Sequence, residues 1–203
     1  MDALSMADAR ASAASIDREA ERLNRLVSNL LDLGRIEGGA LHAAAEILEL
    51  EDFTTRAVAR VAPLVGDRPV EVALATPPAI RADPVLLDEA LANLLDNAVH
   101  HTPPGTRIRL AAAELPDEPY VRLTIEDSGP GVPDDALERL FDKFYRVPQQ
   151  GRASRSGTGV GLTVVRGLAE AMGGRVAARR SSNGGLAIDL DLPIAPVPSG
   201  VAG

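Results

Sequence analysis

The chain has 203 residues, with 21 Lys plus Arg against 29 Asp plus Glu and a formal net charge of −8. With no cysteine it has no disulfide framework, no thiolate metal site and no cysteine nucleophile. The acidic balance disfavours nucleic acid as a general partner. No stretch approaches the ~18 uncharged apolar residues of a membrane span, and the N-terminus lacks a basic-then-apolar leader. These features point to a soluble, cytoplasmic protein of one ordinary domain plus an accessory element.

Residues 2–37 lack proline and read as one helix. Ile16, Ala20, Leu23, Val27 and Leu30 recur at steps of four and three, with Leu26 and Leu33 widening the stripe. Asp17, Arg18, Glu19, Glu21, Arg22 and Arg25 fill much of the other faces, and Gly38-Gly39 ends the pattern. One helix cannot bury such a stripe alone, so it docks on the rest of the chain or on another chain. The near-heptad spacing favours a helical bundle and hence an oligomer.

A second segment begins near Ile47. Residues 53–65 read as helix, and 69–75 as a strand through Val70, Val72 and Leu74. Asp83-Pro84 opens the next helix, with Asp as N-cap and Pro at the first helical position. Leu87, Leu91, Leu94 and Ala98 line its buried face, and it ends before Pro103-Pro104-Gly105. Residues 107–113 and 120–126 are strands, the second alternating through Val121, Leu123 and Ile125. Residues 133–144 contain a short helix, 146–157 a polar loop, and 160–172 a helix stopped by Gly173-Gly174. Strands at 175–179 and 186–192 close the chain as a hairpin around Asn183-Gly184-Gly185. Interleaved helices and strands ending in a hairpin predict an α+β fold, a mixed sheet with helices on one face.

Three segments carry chemistry. Asn93 and Asn97, four apart, share one helical face that His101 continues. A side-chain amide oxygen suits Mg²⁺, although two surface asparagines would look the same. Asp127-Ser128-Gly129-Pro130-Gly131 follows a buried strand. Its carboxylate can accept from an exocyclic amino group such as that of adenine, and its glycines let a flat ring approach the backbone; a plain turn is the simpler reading of this stretch alone. Gly157-Thr158-Gly159-Val160-Gly161-Leu162 opens a helix, where backbone N–H groups bind phosphate. It fits neither the dinucleotide fingerprint nor the P-loop. Between positions 146 and 180 there are seven arginines and one carboxylate, Glu170. That stretch faces either an anion or solvent.

In this order the segments resemble the ATP-binding catalytic domain of bacterial sensor histidine kinases, within the wider gyrase, chaperone, kinase and mismatch-repair (GHKL) ATPase group. The resemblance is carried by Asn93-Leu94-Leu95-Asp96-Asn97-Ala98 (the N box), Asp127-Ser128-Gly129-Pro130-Gly131 (the first G box), Phe141-Asp142-Lys143-Phe144-Tyr145-Arg146 (the F box) and Gly157-Thr158-Gly159-Val160-Gly161-Leu162 (the second G box). Glu19 to Val27, with Leu30-Leu31-Asp32-Leu33, is similar to the second helix of the dimerisation and phosphoacceptor hairpin, closest to that of potassium-responsive sensor kinases. The resemblance implies a two-layer α/β sandwich of the Bergerat type behind a long N-terminal helix. It implies residues 1–43 as hairpin helix, 44–195 as ATP-binding domain and 196–203 as a flexible tail.

The resemblance also implies ATP and Mg²⁺ as cofactors, with a role for each position. Asn97 would bind Mg²⁺, and Asn93 would sit one turn earlier near the phosphates. Asp127 would accept from the adenine amino group, in a pocket shaped by Gly129 and Gly131. Phe141 and Phe144 would anchor a lid over 145–157, with Tyr145, Arg146, Arg152 and Arg155 at its phosphate side. Gly157, Thr158, Gly159, Val160, Gly161 and Leu162 would form the turn around the phosphate chain. The implied partners are a histidine-bearing hairpin helix, a response regulator reached indirectly, and a second copy through the N-terminal helix.

Two departures stand out. His100 and His101 occupy the place where the family often has a phosphate-directed Lys, and neutral imidazole is a weaker phosphate partner. A sensor kinase also needs a phosphoacceptor His followed by a carboxylate. His42, His100 and His101 are followed by Ala43, His101 and Thr102. The chain is therefore expected to be a C-terminal part that phosphorylates a histidine supplied in trans. The alternatives are a nucleotide-sensing, dimerising partner without transfer and, last, a sigma-factor-inhibiting serine kinase, whose kind lacks the hairpin helix.

Overall fold

The computed structural model describes residues 6–147 and 159–196. Helix α1 (Met6–Glu37) leads into β1 (Glu46–Leu48), α2 (Leu50–Val65), β2 (Val70–Leu74), β3 (Ile80–Ala82) and α3 (Pro84–His101). Strands β4 (Ile108–Glu114) and β5 (Tyr120–Asp127), helix α4 (Gly161–Ala171), and strands β6 (Arg175–Arg180) and β7 (Leu186–Pro193) follow. A five-stranded sheet runs β2-β4-β5-β7-β6, parallel between β2 and β4 and antiparallel elsewhere. This is the expected α+β sandwich behind a long helix.

Alternation along the strands divides the sheet into two unlike faces. Ile108, Leu110 and Ala112 of β4, Val121, Leu123 and Ile125 of β5, and Ile188, Leu190 and Leu192 of β7 are buried towards the helices. There they meet Leu87, Leu91, Leu94 and Leu95 of α3, and Val164, Val165 and Leu168 of α4. The opposite face is an ion-pair ladder. Asp191 accepts from Arg122 (2.7 and 2.8 Å) and Arg175 (2.8 Å), and Asp189 from Arg179 (2.7 Å) and Thr124 (2.7 Å). Burial pushes the Asp191 carboxyl up, but the guanidiniums of Arg122 and Arg175 outweigh it and hold it below its ordinary value.

Some elements differ from the sequence expectation. Strands β1 and β3 pair antiparallel through Leu48 and Ile80; three-residue strands are too short to show a period. The helix expected within 133–144 is two 3₁₀ turns, Asp134–Ala136 and Glu138–Phe141. Val72 is 45% exposed because β2 is an edge strand.

The stripe on α1 also divides. Asp32 and Leu33 are buried and Ile36 packs against the core, whereas Ile16, Leu23, Val27, Leu30 and Leu31 are exposed. The last turns of α1 dock on the domain and leave the earlier apolar positions uncovered. No helix among the described residues is long and apolar enough to cross a membrane.

Candidate nucleotide site

Helix α3 starts at its cap. Asp83 Oδ1 accepts from the Val85 and Leu86 amides (2.8 and 3.1 Å), and Oδ2 accepts from Ala44 N (2.7 Å), tying the start of α3 to the segment after α1. Burying Leu87, Leu91, Leu94 and Ala98 leaves Asn93, Asp96 and Asn97 half-buried on the flank. The Asn93 amide nitrogen donates to Glu89 O (3.2 Å). Its Oδ1 lies 3.5 Å from the position a Cβ on Gly161 would take. The asparagine helix and the second glycine segment, remote in sequence, therefore meet at the first turn of α4. Val160 is fully buried there, and Gly161 and Leu162 are half-buried.

Asp127 continues the inward alternation of β5 and is buried. Its Oδ1 accepts from Gly129 N (2.8 Å) and Leu186 N (3.4 Å). Oδ2 takes no hydrogen bond among the described residues. Burial raises the carboxyl above its ordinary value, against the two backbone amides and with the Glu126 charge. Gly131 has φ +68, and a Cβ on it would stand 2.8 Å from Gly184 O. A Cβ on Gly185 would stand 2.1 Å from Asp127 O and 2.4 Å from its Oδ1. The β6–β7 turn thus backs the first glycine segment, and only glycine fits between them.

The F-box aromatics separate. Phe141 is buried under the Arg166 guanidinium, whose Cζ lies 4.8 Å from the ring centre. Phe144 is 64% exposed and carries φ +62. Its amide does hold position, donating to Gly159 O (2.9 Å). Gly159, at φ +69, would bring a Cβ to 2.7 Å from Tyr145 O. The two ends of the 148–158 segment are closed by main chain. Tyr145 stacks with Arg139 (4.2 Å), and Arg146 is exposed. Gly157, Thr158, Arg152 and Arg155 lie outside the described residues.

The basic stretch is largely used elsewhere. Arg175 and Arg179 pair with the sheet carboxylates, Arg180 with Asp134 (2.8 Å), and Arg166 covers Phe141. His100 and His101 are exposed, and a ring nitrogen of His100 bonds Asp96 O (2.8 Å).

Residues absent from the sequence reading support the site. Thr102 Oγ1 donates to Ala98 O (2.7 Å), and its methyl stands 3.0 Å from the Cβ position of Gly129. Arg68 donates to Val65 O (3.1 Å), Val99 O (3.2 Å) and Thr102 O (3.2 Å), joining the ends of α2 and α3. Nothing local marks either residue; Gly185 was legible only as a turn glycine. A cleft of about 530 Å³ opens beside Asn93, lined by Asn24, Ser28 and Asn29 of α1 and Glu89 and Asp96 of α3. Burial, then the hydrogen bond and charge of Asp32, push the Glu89 carboxyl up to about 7, against the pull of Arg35.

Residues 82–196, from the end of β3 to just past β7, match the family described as histidine kinase-, DNA gyrase B-, and HSP90-like ATPase. The chain belongs to this family. Within this ATPase family it is similar to sensor protein IrlS of Burkholderia pseudomallei, 34% identical over 160 residues that cover 79% of this chain and 34% of that one. Signal transduction histidine-protein kinase AfsQ2 of Streptomyces coelicolor is 33% identical over 185 residues, covering 89% and 32%. Sensor protein KdpD of Mycobacterium tuberculosis is 34% identical over 185 residues, covering 88% and 21%. These three relatives thus match at nearly equal identity, which distinguishes no subtype, and the chain spans about a third of the first two relatives' length. Among solved structures, the mycobacterial sensor histidine kinase MprB superposes with TM-score 0.65 at 29% identity, covering 76% of this chain and 100% of that chain. Full-length ShkA, determined with AMPPNP, gives 0.72 at 26% identity, covering 97% and 41%.

Proposed function

We propose that this chain is the catalytic part of a sensor histidine kinase, binding Mg–ATP beside α3 and donating the γ-phosphate to a histidine on another segment or chain. The observation that carries this reading is the convergence of Asn93 with Gly161 at the start of α4, on the helix layer where Asp127 lies buried with Oδ2 unused among the described residues. An Asp127 oxygen held by two amides presents its partner oxygen to an adenine amino group. Gly129 and Gly131 let the main chain pass close to Thr102 and Gly184, where a Cβ would stand 3.0 Å and 2.8 Å away. The N–H groups of Gly161 and Leu162 at the N-terminus of α4 suit phosphate oxygens, and buried Val160 fixes that turn.

Asn97 would hold Mg²⁺, which would supply positive charge to offset that of the phosphates. The donor set fits such an ion. No group of three His, Cys, Asp or Glu capable of holding a metal occurs among the described residues. Mg²⁺ takes few protein ligands and fills the rest with water and phosphate. The Asn93 amide cannot accept a proton as a general base, which favours transfer over hydrolysis. Residues 44–195 form the catalytic unit in this reading. The exposed Ile16, Leu23, Val27 and Leu30 of α1 are the face for a hairpin partner or a second copy.

The test is calorimetric titration with Mg–ATP, followed by mixing with a histidine-bearing kinase hairpin and γ-labelled ATP. Acid-labile label on the hairpin, lost with Asn97→Ala, is the expected outcome. No heat at millimolar Mg–ATP overturns the reading. Binding without transfer leaves the nucleotide-sensing alternative.

A further inference from the structure

The docked face of α1 is a short helical series. Asn29, Asp32, Leu33 and Ile36 lie at i, i+3, i+4 and i+7, on one side of the helix. Three of them are engaged with the domain. Ile36 fills a notch in α4 that exists because residue 167 is glycine: a Cβ there would stand 2.5 Å from Ile36 Cδ1 and 2.8 Å from its Cγ1 and Cγ2. Leu33 is buried in the core cluster. Asp32 shares a hydrogen bond with Glu89 of α3. Just beyond the series, Glu37 pairs with Lys143 of the F box.

The fourth, Asn29, is half-buried. Its amide nitrogen lies 3.8 Å from the Cβ position of Gly161, the point that Asn93 Oδ1 approaches to 3.5 Å. Asn29 and Asn93 also line the same cleft. We propose that Asn29 is a phosphate-positioning residue, a polar group that α1 contributes to the nucleotide site, so that docking of α1 and binding of the triphosphate stabilise each other. This rests on the Mg–ATP reading above and adds to it a residue from outside the ATPase domain.

An amide is suited to this place. It donates to a phosphate oxygen without adding charge to a cleft that also holds Arg60, Asp88, Glu89 and Asp96. Asp88 is paired with Arg56 (3.6 Å), and burial and Asp32 push the Glu89 carboxyl up to about 7, which limits the negative field that phosphates meet. Coupling is reciprocal: whatever the docked helix adds to triphosphate affinity, the triphosphate adds to helix docking.

The experiment titrates adenosine, ADP and ATP, each with Mg²⁺, into the full chain and its variants. A lost hydrogen bond to a charged group predicts Mg–ATP binding weakened roughly 10- to 150-fold in Asn29→Ala. Asn29→Asp should weaken it further by like-charge repulsion, Asn29→Ser less because it keeps a donor, and adenosine should bind all of them as it binds wild type. Gly167→Ala, which displaces Ile36, should reproduce the triphosphate-selective loss, and Ile36→Ala in the same chain should restore affinity. Unchanged Mg–ATP affinity in Asn29→Asp, or an equal loss for adenosine, overturns the assignment of Asn29 while the nucleotide site stands. If wild type binds no Mg–ATP, the functional reading falls and this inference with it.

Discussion

Gly185→Ala tests how Asp127 is held. The new methyl would stand 2.1 Å from Asp127 O, 2.4 Å from Oδ1 and 2.7 Å from the carbonyl carbon. Those atoms are main chain and a buried carboxylate, not the swinging end of a long side chain, so relief requires β5 and the β6–β7 turn to part. Overpacking of this kind costs about 1–3 kcal/mol. Losing the Leu186 N to Asp127 hydrogen bond adds about 1 kcal/mol. At roughly 2–4 °C per kcal/mol for a chain of this size, Tm should fall by roughly 4–16 °C. Mg–ATP and adenosine should both weaken, because the adenine end is what moves. Gly184→Ala is the control: it has φ +93 but nothing within 4 Å, so it costs about 1 kcal/mol of backbone strain and leaves Asp127 in place. Thermal denaturation and calorimetry read both quantities. Wild-type Tm and affinity in Gly185→Ala, or equal damage from Gly184→Ala, would refute the reasoning.

Glu89→Gln addresses the junction of α1 with α3. A carboxyl raised from 4.5 to about 7 in the fold holds a proton that the unfolded chain releases, so its contribution to stability is present at low pH and is lost as pH rises through about 7. The variant should therefore gain Tm relative to wild type at pH 8 and lose that gain below pH about 4.5; a pH-independent difference would contradict the account. Asp191→Asn addresses the ion-pair ladder with the opposite sign. Its lowered pKa makes the wild-type advantage full above the ordinary value of 3.8 and smaller as pH falls through its folded value. Denaturant melts at pH 7 should show a loss of about 1–3 kcal/mol that shrinks on acidification.

Much of the helix-and-sheet layer was legible along the chain because its signals are local. The Asp83-Pro84 cap, the leucine face of α3, the alternation of β5 and the Asn-Gly-Gly turn each act within one element, so position alone reveals them. The asparagines, Asp127 and the glycine segments were legible by type and order. The stripe of α1 announced a helix with one apolar face, and the seven arginines announced charge, but neither stated its partner. The structure divides the stripe into a docked end at Asp32, Leu33 and Ile36 and an exposed remainder, and gives Arg175 and Arg179 to Asp191 and Asp189 across the sheet.

Composition, caps and periodicity thus determined which residues form α3, β5 and the hairpin. Tertiary structure alone decided that Gly185 seats against Asp127, that Gly167 receives Ile36, and that Asn29 arrives beside Asn93. The physical reason is range. Hydrogen bonding within a turn and the facing of a helix are set by neighbours in sequence. Close approach between distant segments depends on what a missing Cβ leaves open once the layers have packed.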